Sequence, residues 1–230
     1  MMNKHDQIKA FVKEELEIFG GPLYMPETTQ ETDMEKTSVS SDVKTLSEFN
    51  SAIENCMNCP LGATRTNFVF GAGNPDADIM FVGEAPGEKE DLEGLPFVGR
   101  SGKLLTDILK AIDLTREDVY IANILKCRPP NNRDPNKAEI EECEPYLLKQ
   151  IELIKPKLLV ALGRISATTL LRTKDSLTSM RGQVFDYHGT DMVVTYHPAA
   201  LLRNPNWKRP AWEDFKKIRE MYLEKRGEQA

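Results

Sequence analysis

The chain has 230 residues, 40% apolar and 29% charged, a composition suited to one sizeable soluble core plus an appendage. Its longest apolar runs, such as 158–162, are too short to span a membrane, and no charged-then-apolar leader opens it, so a cytoplasmic location and no membrane partner are expected. The net charge of −6 resides in residues 1–55, with 5 Lys/Arg against 11 Asp/Glu; the other 25 and 25 balance, so an anionic partner is not excluded.

Ile8, Phe11, Val12, Leu16 and Phe19 recur at helical spacing, which predicts an amphipathic helix over 6–19 closed by Gly20-Gly21-Pro22. The next stretch is polar to about Asp42, so residues 1–42 are expected to form a helix plus a flexible linker, and 43–230 a separate domain. Leu46, Phe49, Ile53 and Cys56 share one helical face and deliver Cys56 and Cys59 at a helix end.

Asp78 to Val82 is a short apolar run stopped by glycine and proline, the pattern of a buried strand. It empties into Gly83-Glu84-Ala85-Pro86-Gly87-Glu88-Lys89-Glu90-Asp91. In an open parallel sheet ligands sit beyond the carboxyl ends of strands, so carboxylates crowding this exit mark a candidate site. Gly94-Leu95-Pro96-Phe97-Val98-Gly99 follows, then a helix with Ser101 as cap and Leu104, Leu105, Ile108 and Ile112 inward. Gly102-Lys103 does not complete a phosphate loop: Phe97 stands where the first glycine is required, and Leu104 replaces the magnesium-binding Ser or Thr.

A second strand, Val119 to Leu125, carries Asn123 near its end and runs into Lys126-Cys127-Arg128-Pro129-Pro130. Asp134-Pro135 reads as a helix start, with Ile140, Cys143, Leu147 and Ile151 as the inward stripe. A strand over 157–163, a short helix over 165–171, and a strand pair at 184–187 and 192–196 come next. The last strand delivers His197-Pro198-Ala199-Ala200-Leu201-Leu202-Arg203, and a helix from about Pro210 closes the chain. Alternating strands and helices predict the α/β class: a three-layer α/β/α sandwich around a central, mainly parallel, four-stranded sheet.

Four cysteines occur as C-x2-C, a 67-residue gap, then C-x15-C. In a reducing compartment such a set invites a metal. The wide second half is unlike the paired knuckles of a zinc ribbon and suits a [4Fe–4S] cube, although zinc and plain core thiols stay open on spacing alone. His197 ends a strand and precedes proline, so its ring belongs at the crevice. Asn123 is unusual in a strand interior, and its amide offers both a donor and an acceptor. Residues 197–210 hold Arg203, Lys208 and Arg209 with no acid, a candidate anion-binding edge. His188 in a turn and His5 on the outer helix are bystanders.

Gly83-Glu84-Ala85-Pro86-Gly87, Glu90-Asp91, Pro96-Phe97-Val98-Gly99, Asn123 before Lys126-Cys127-Arg128-Pro129-Pro130, the cysteine spacing and His197-Pro198-Ala199-Ala200-Leu201-Leu202-Arg203 occur in one order. In this the chain resembles the family 4 uracil-DNA glycosylases, the iron–sulfur type of that superfamily, over about residues 43–226. The resemblance implies a monofunctional DNA-repair glycosylase that flips uracil out and hydrolyses its N-glycosidic bond. It implies a [4Fe–4S] cluster on Cys56, Cys59, Cys127 and Cys143. Glu84, Glu90, Asn123 and His197 would be the catalytic network, His197 donating to uracil O2 and Asn123 reading the base edge. Gly83, Glu84, Ala85 and Phe97 would complete the uracil pocket, with Phe97 as the stacking face. Leu201 would wedge into the vacated stack, and Arg203, Lys208 and Arg209 would meet phosphates. Ala85 stands where the better-known superfamily members carry Asp, so water activation is expected to be shared by Glu84, Glu90 and Asn123. The expected partner is uracil-containing DNA, single- or double-stranded, bound by a monomer.

Two rivals make different forecasts, and a third, a zinc-dependent hydrolase, is disfavoured because only three histidines exist and none lies at ligand spacing to another. A relative that crosslinks to DNA through a histidine would need one in 127–133, where there is none. A non-catalytic iron–sulfur module, binding DNA or carrying electrons, would release no uracil.

Overall fold

The computed structural model describes residues 43–227; the helix expected over 6–19 and the linker up to 42 lie outside the described residues. Alternating burial along each strand builds the layers. Ile79, Phe81, Ile121, Leu158, Val160 and Leu162 point into one apolar cluster, and Met80, Val82, Ala122, Leu159, Ala161 and Val194 into another. With both faces covered, the strands read as continuous apolar runs.

Six strands form the sheet: β1 (Ala72–Gly73), β2 (Ile79–Gly83), β3 (Tyr120–Asn123), β4 (Leu158–Leu162), β5 (Val184–Tyr187) and β6 (Thr190–Thr195), in the order β1-β3-β2-β4-β6-β5. The middle four are parallel, as expected; β1 and β5 add an antiparallel strand at each edge. β1 escapes a reading of apolar runs because it is two residues long and contains no large side chain.

The helices are α1 (Leu46–Ile53), α2 (Glu88–Glu93), α3 (Arg100–Ala111), α4 (Lys137–Ile154), α5 (Arg164–Leu170), α6 (Leu177–Met180), α7 (Pro198–Arg203) and α8 (Lys208–Arg226). Leu105 and Leu109 of α3 and Phe215 and Ile218 of α8 close one face of the sheet. Cys143, Tyr146 and Leu147 of α4, with Phe49 and Ile53 of α1, close the other.

Several helix starts differ from expectation by a few residues. Helix α3 begins after Gly99 rather than at Ser101. Asn136, not Asp134, caps α4, because Asn136 and Glu139 complete a reciprocal capping box that Asp134 has no partner to form. Helix α8 starts at Lys208 and takes Pro210 into its first turn, where a missing N–H costs nothing. Carboxylates of the 83–91 loop form the short helix α2, with Glu90 and Asp91 buried.

Strand β2 leads leftward to β3, whereas β4 leads rightward to β6. The connections therefore part between the carboxyl ends of β2 and β4, where an open α/β sheet leaves a crevice. Ser166 Oγ in α5 donates to Val82 O at 2.8 Å and pins the two walls of that crevice together.

Candidate active site

The floor of the crevice is a glycine. Gly83 lies in register with Asn123 on β3, and a Cβ on it would stand 2.3 Å from Asn123 Oδ1 and 2.7 Å from the Phe97 ring. Only a residue without a side chain lets both groups close over the strand end. Asn123 is 2% exposed, and its Oδ1 has no hydrogen-bond partner. An unmet buried acceptor costs about 1–3 kcal/mol, which sets this amide apart from the other buried polar side chains among the described residues.

Phe97 stands beside it in a left-handed backbone conformation, φ 54°, which a bulky residue adopts only under constraint. The constraint is visible on three sides. Arg116 donates to Phe97 O at 3.0 Å and Pro96 O at 2.7 Å. Glu90 Oε1 accepts the N–H groups of Val98 and Gly99, each at 2.9 Å. Helix α3 presses from below, where a Cβ on Gly102 would meet Phe97 O at 1.8 Å. Glu90 is thus committed, through one oxygen, to holding the loop that presents the aromatic ring.

His197 closes the slot. Its ring centroid lies 5.4 Å from that of Phe97, tilted by 33°. It is also the N-cap of α7, and its Nδ1 accepts the Ala199 N–H at 3.1 Å. An accepting Nδ1 places the proton of a neutral ring on Nε2. Burial, aided by the positive charge of Arg203 and opposed by Glu90, pushes the imidazole pKa down to about 4. The ring is therefore a neutral donor at neutral pH. Gly163 makes room for it: its φ is 92°, and a Cβ there would stand 2.8 Å from His197 Cβ.

Glu90, Phe97, Asn123, Gly163 and His197 line one cavity of about 650 Å³, together with Glu84, Ala85, Asp134, Arg164, Arg203 and Trp207. Burial first, and then the negative charge of Asp134, raise the Glu84 pKa to about 7 against the opposing pull of Arg164. A carboxylate so tuned exchanges its proton near neutrality. Arg203 reaches the mouth, while Lys208 and Arg209 are exposed at the start of α8 outside the cavity lining. His188 sits in the turn between β5 and β6, away from this cavity, and His5 lies outside the described residues.

One residue needs correction. Leu201 is 2% exposed and packs with Tyr196 and Ala211, so it belongs to the core rather than to the surface. Position four after His197 falls on the inner face of α7. The apolar side chain that α7 presents outward is Leu202, 38% exposed.

The four cysteines gather on the α4 side of the sheet around a single void that Tyr146 and Phe68 help to line. None is in a disulfide. Among the described residues, no three His, Cys, Asp or Glu side chains converge closely enough to share one metal ion. Donors point at the sulfurs: Tyr146 O–H at 3.1 Å and Asn58 N–H at 3.4 Å to Cys56, Arg65 Nη1 at 3.4 Å to Cys127, and Lys126 N–H at 3.3 Å to Cys143. Burial pushes the Cys127 thiol up to about 11 and the Cys143 thiol up to about 12. The fully buried Lys126 ammonium joins this region to the crevice, donating to Asn123 O at 2.7 Å and Gln150 Oε1 at 2.6 Å.

Sequence reasoning passed over Arg116, Asp134, Arg164 and Trp207. The first three are charged residues in polar stretches, with no periodicity to single them out. Gly163 carried a legible signal, a glycine ending an apolar strand directly before a helix.

Comparison with known proteins agrees with this geometry. The profile of the Uracil DNA glycosylase superfamily matches residues 70–216. The chain is similar to the Type-4 uracil-DNA glycosylase of Sulfurisphaera tokodaii, 50% identical over 187 residues, which cover 77% of this chain and 85% of that one. The Type-4 uracil-DNA glycosylase of Archaeoglobus fulgidus is 46% identical over 187 residues, 78% of this chain and 94% of its own. That of Saccharolobus solfataricus is 48% identical over 177 residues, 73% and 82% respectively.

The state of the His197 ring is open to direct measurement. Nitrogen-15 NMR is expected to show a neutral, Nε2-protonated imidazole from pH 9 down to about pH 5. A ring that charges near its ordinary value of about 6.5 would contradict the burial argument.

Proposed function

The chain belongs to the uracil-DNA glycosylase superfamily, and from this premise we propose how its slot carries out the reaction. It is a DNA-repair enzyme that removes uracil from DNA. A target base inside a duplex is out of reach, so the nucleotide must first swing out of the stack and into the cavity.

The observation that carries the proposal is the unmet, buried Asn123 Oδ1. Uracil offers an N–H at position 3 and a carbonyl at position 4, complementary to the oxygen and the NH2 of one amide. Cytosine offers a bare nitrogen and an amino group there, which would leave both unpaired; a site built on such a pair discriminates strongly. Phe97 supplies the face on which the pyrimidine stacks. Gly83 and Ala85 provide the close wall.

Bond breaking sends the electron pair of the C1′–N1 bond to uracil, so negative charge grows on the base and positive charge on the sugar. His197 Nε2–H, neutral and aimed by its own backbone cap, donates to O2 as that charge develops, a form of stabilisation that requires no reorganisation. Glu84, which also lines the cavity, is assigned to the sugar. Its ionised form steadies the cationic sugar and orients a water; the water oxygen bonds to C1′ while its proton passes to Glu84. Uracil leaves as the N1 anion and is protonated in solvent. Glu90 acts through the Phe97 loop it braces. Arg203, Lys208 and Arg209 contact phosphates without reading sequence. Leu202, rather than Leu201, fills the gap in the stack. The enzyme is read as a cytoplasmic monomer, its free thiols suiting a reducing compartment.

For the four cysteines we propose a [4Fe–4S] cluster. Thiols that surround a void instead of converging on a point, three of them approached by hydrogen-bond donors, fit a polynuclear group better than one zinc ion. Bound there, the cluster supplies a cross-link between segments distant in sequence and takes no part in bond cleavage. Cys127 and the Lys126 bridge lie on the strand exit that carries Asn123, so the cross-link steadies the base-reading amide.

A uracil-containing oligonucleotide incubated with the protein is expected to yield free uracil and alkali-labile abasic sites. Asn123→Ala should lower the rate about 10²–10³-fold. Wild-type activity should rise as pH passes about 7 and Glu84 ionises, and Glu84→Gln should flatten that rise. Full activity in Glu84→Gln, or DNA that stays attached to denatured protein, would overturn this assignment.

The two leucines separate cleanly. Leu201→Ala should cost about 2–5 kcal/mol in denaturant unfolding. Leu202→Ala should change stability by less than about 0.5 kcal/mol yet slow excision from duplex more than from single-stranded DNA.

Iron and acid-labile sulfide in anaerobically purified protein, with absorption near 400 nm lost in Cys143→Ala, is the expected signature of the cluster. Stoichiometric zinc in its place would refute it.

A further inference from the structure

Beside the slot lies an aromatic stack that the reaction above does not use. Tyr196, the residue before His197, lies against Trp207 with ring centroids 5.2 Å apart and planes 22° from parallel. The Arg181 guanidinium also packs on Tyr196, 4.4 Å from the ring centre. Arg181 is itself clamped: Nε and Nη2 donate to the two oxygens of Asp214 at 2.6 and 2.9 Å, and Nη1 donates to Tyr196 O–H at 3.1 Å. The Trp207 N–H bonds to Asn204 O at 3.0 Å, fixing the turn that carries the indole. The top of this column is nonetheless 41% exposed, and it lines the same cavity as His197 and Asn123.

A lone exposed tryptophan needs no explanation. A tryptophan held flat by two ordered layers, at the rim of a nucleotide-sized slot, is different. Around it are Arg203, Lys208 and Arg209, with no acid from 197 to 210. An aromatic face within a cationic border is how proteins hold unpaired bases: cations track the backbone and the ring stacks the base whatever its identity. The ordering cost is already met in the free protein, because the column is assembled without DNA.

We propose that Trp207 is a stacking platform for an unpaired base next to the extruded uracil, a second nucleotide subsite that makes single-stranded or locally opened DNA the tighter-bound substrate. The proposal rests on the slot being the uracil site and adds to it a recognition element outside the uracil pocket.

Trp207 and Trp212 are the only tryptophans, so Trp212→Phe leaves Trp207 as the sole indole reporter in the full chain. Single-stranded oligonucleotides carrying a stable abasic analogue at the target position should quench its fluorescence saturably. The quench should vanish when the flanking positions are also abasic. With uracil-containing single strands, Trp207→Ala should raise KM about tenfold and leave kcat within about twofold, while Trp207→Phe restores most of the affinity. Unchanged KM in Trp207→Ala, or quenching indifferent to the flanking bases, would overturn the platform. The two readings fail separately. Wild-type protein that shows base-dependent quenching but releases no uracil sinks the enzyme assignment alone. Cleavage with a silent Trp207 sinks the platform alone.

Discussion

Two glycines let three groups from distant parts of the chain converge. At Gly83 a Cβ would stand 2.3 Å from Asn123 Oδ1 and 2.7 Å from the Phe97 ring. A single methyl group there would displace both, so the placement of the amide and that of the ring share one steric condition. Opposite, Gly163 does the same for His197. The crevice is in this sense carved by two glycines at the ends of β2 and β4, the strands whose connections part company.

The groups that surround the slot divide into those that line it and those that hold them. Glu90 and Arg116 spend their hydrogen bonds on the backbone of the Phe97 loop, from opposite directions. Such bracing is what a left-handed phenylalanine requires, since its conformation has no intrinsic preference to hold it. The charges at the mouth work differently. Glu84 is poised between the acid Asp134 and the base Arg164, and its proton affinity is set mainly by how little water reaches it.

Much of this was legible in the residues. The four parallel strands announced themselves as apolar runs, and Gly83, Asn123 and His197 were identifiable because each breaks the pattern expected of its element, whereas Phe97 stood out only through the family resemblance. What remained hidden had no local signature. Arg116 looks like any surface arginine, and its role exists only once the 97 loop folds back over α3. Leu201 and Leu202 are adjacent and chemically alike; which one is buried depends on the register of α7 against Tyr196 and Ala211, a tertiary fact. The two-residue β1 and the Asn136 cap were missed for related reasons, one being too short for any period and the other outweighed by a neighbouring Asp-Pro.

His197 holds two offices at once. Its Nδ1 terminates the amide ladder of the helix that bears Leu202 and Arg203, and its other nitrogen faces the slot. Ring and helix are therefore one piece, and any tilt of α7 would re-aim the imidazole in the slot. Helix position and ring direction cannot vary separately, a coupling set by a single capping hydrogen bond.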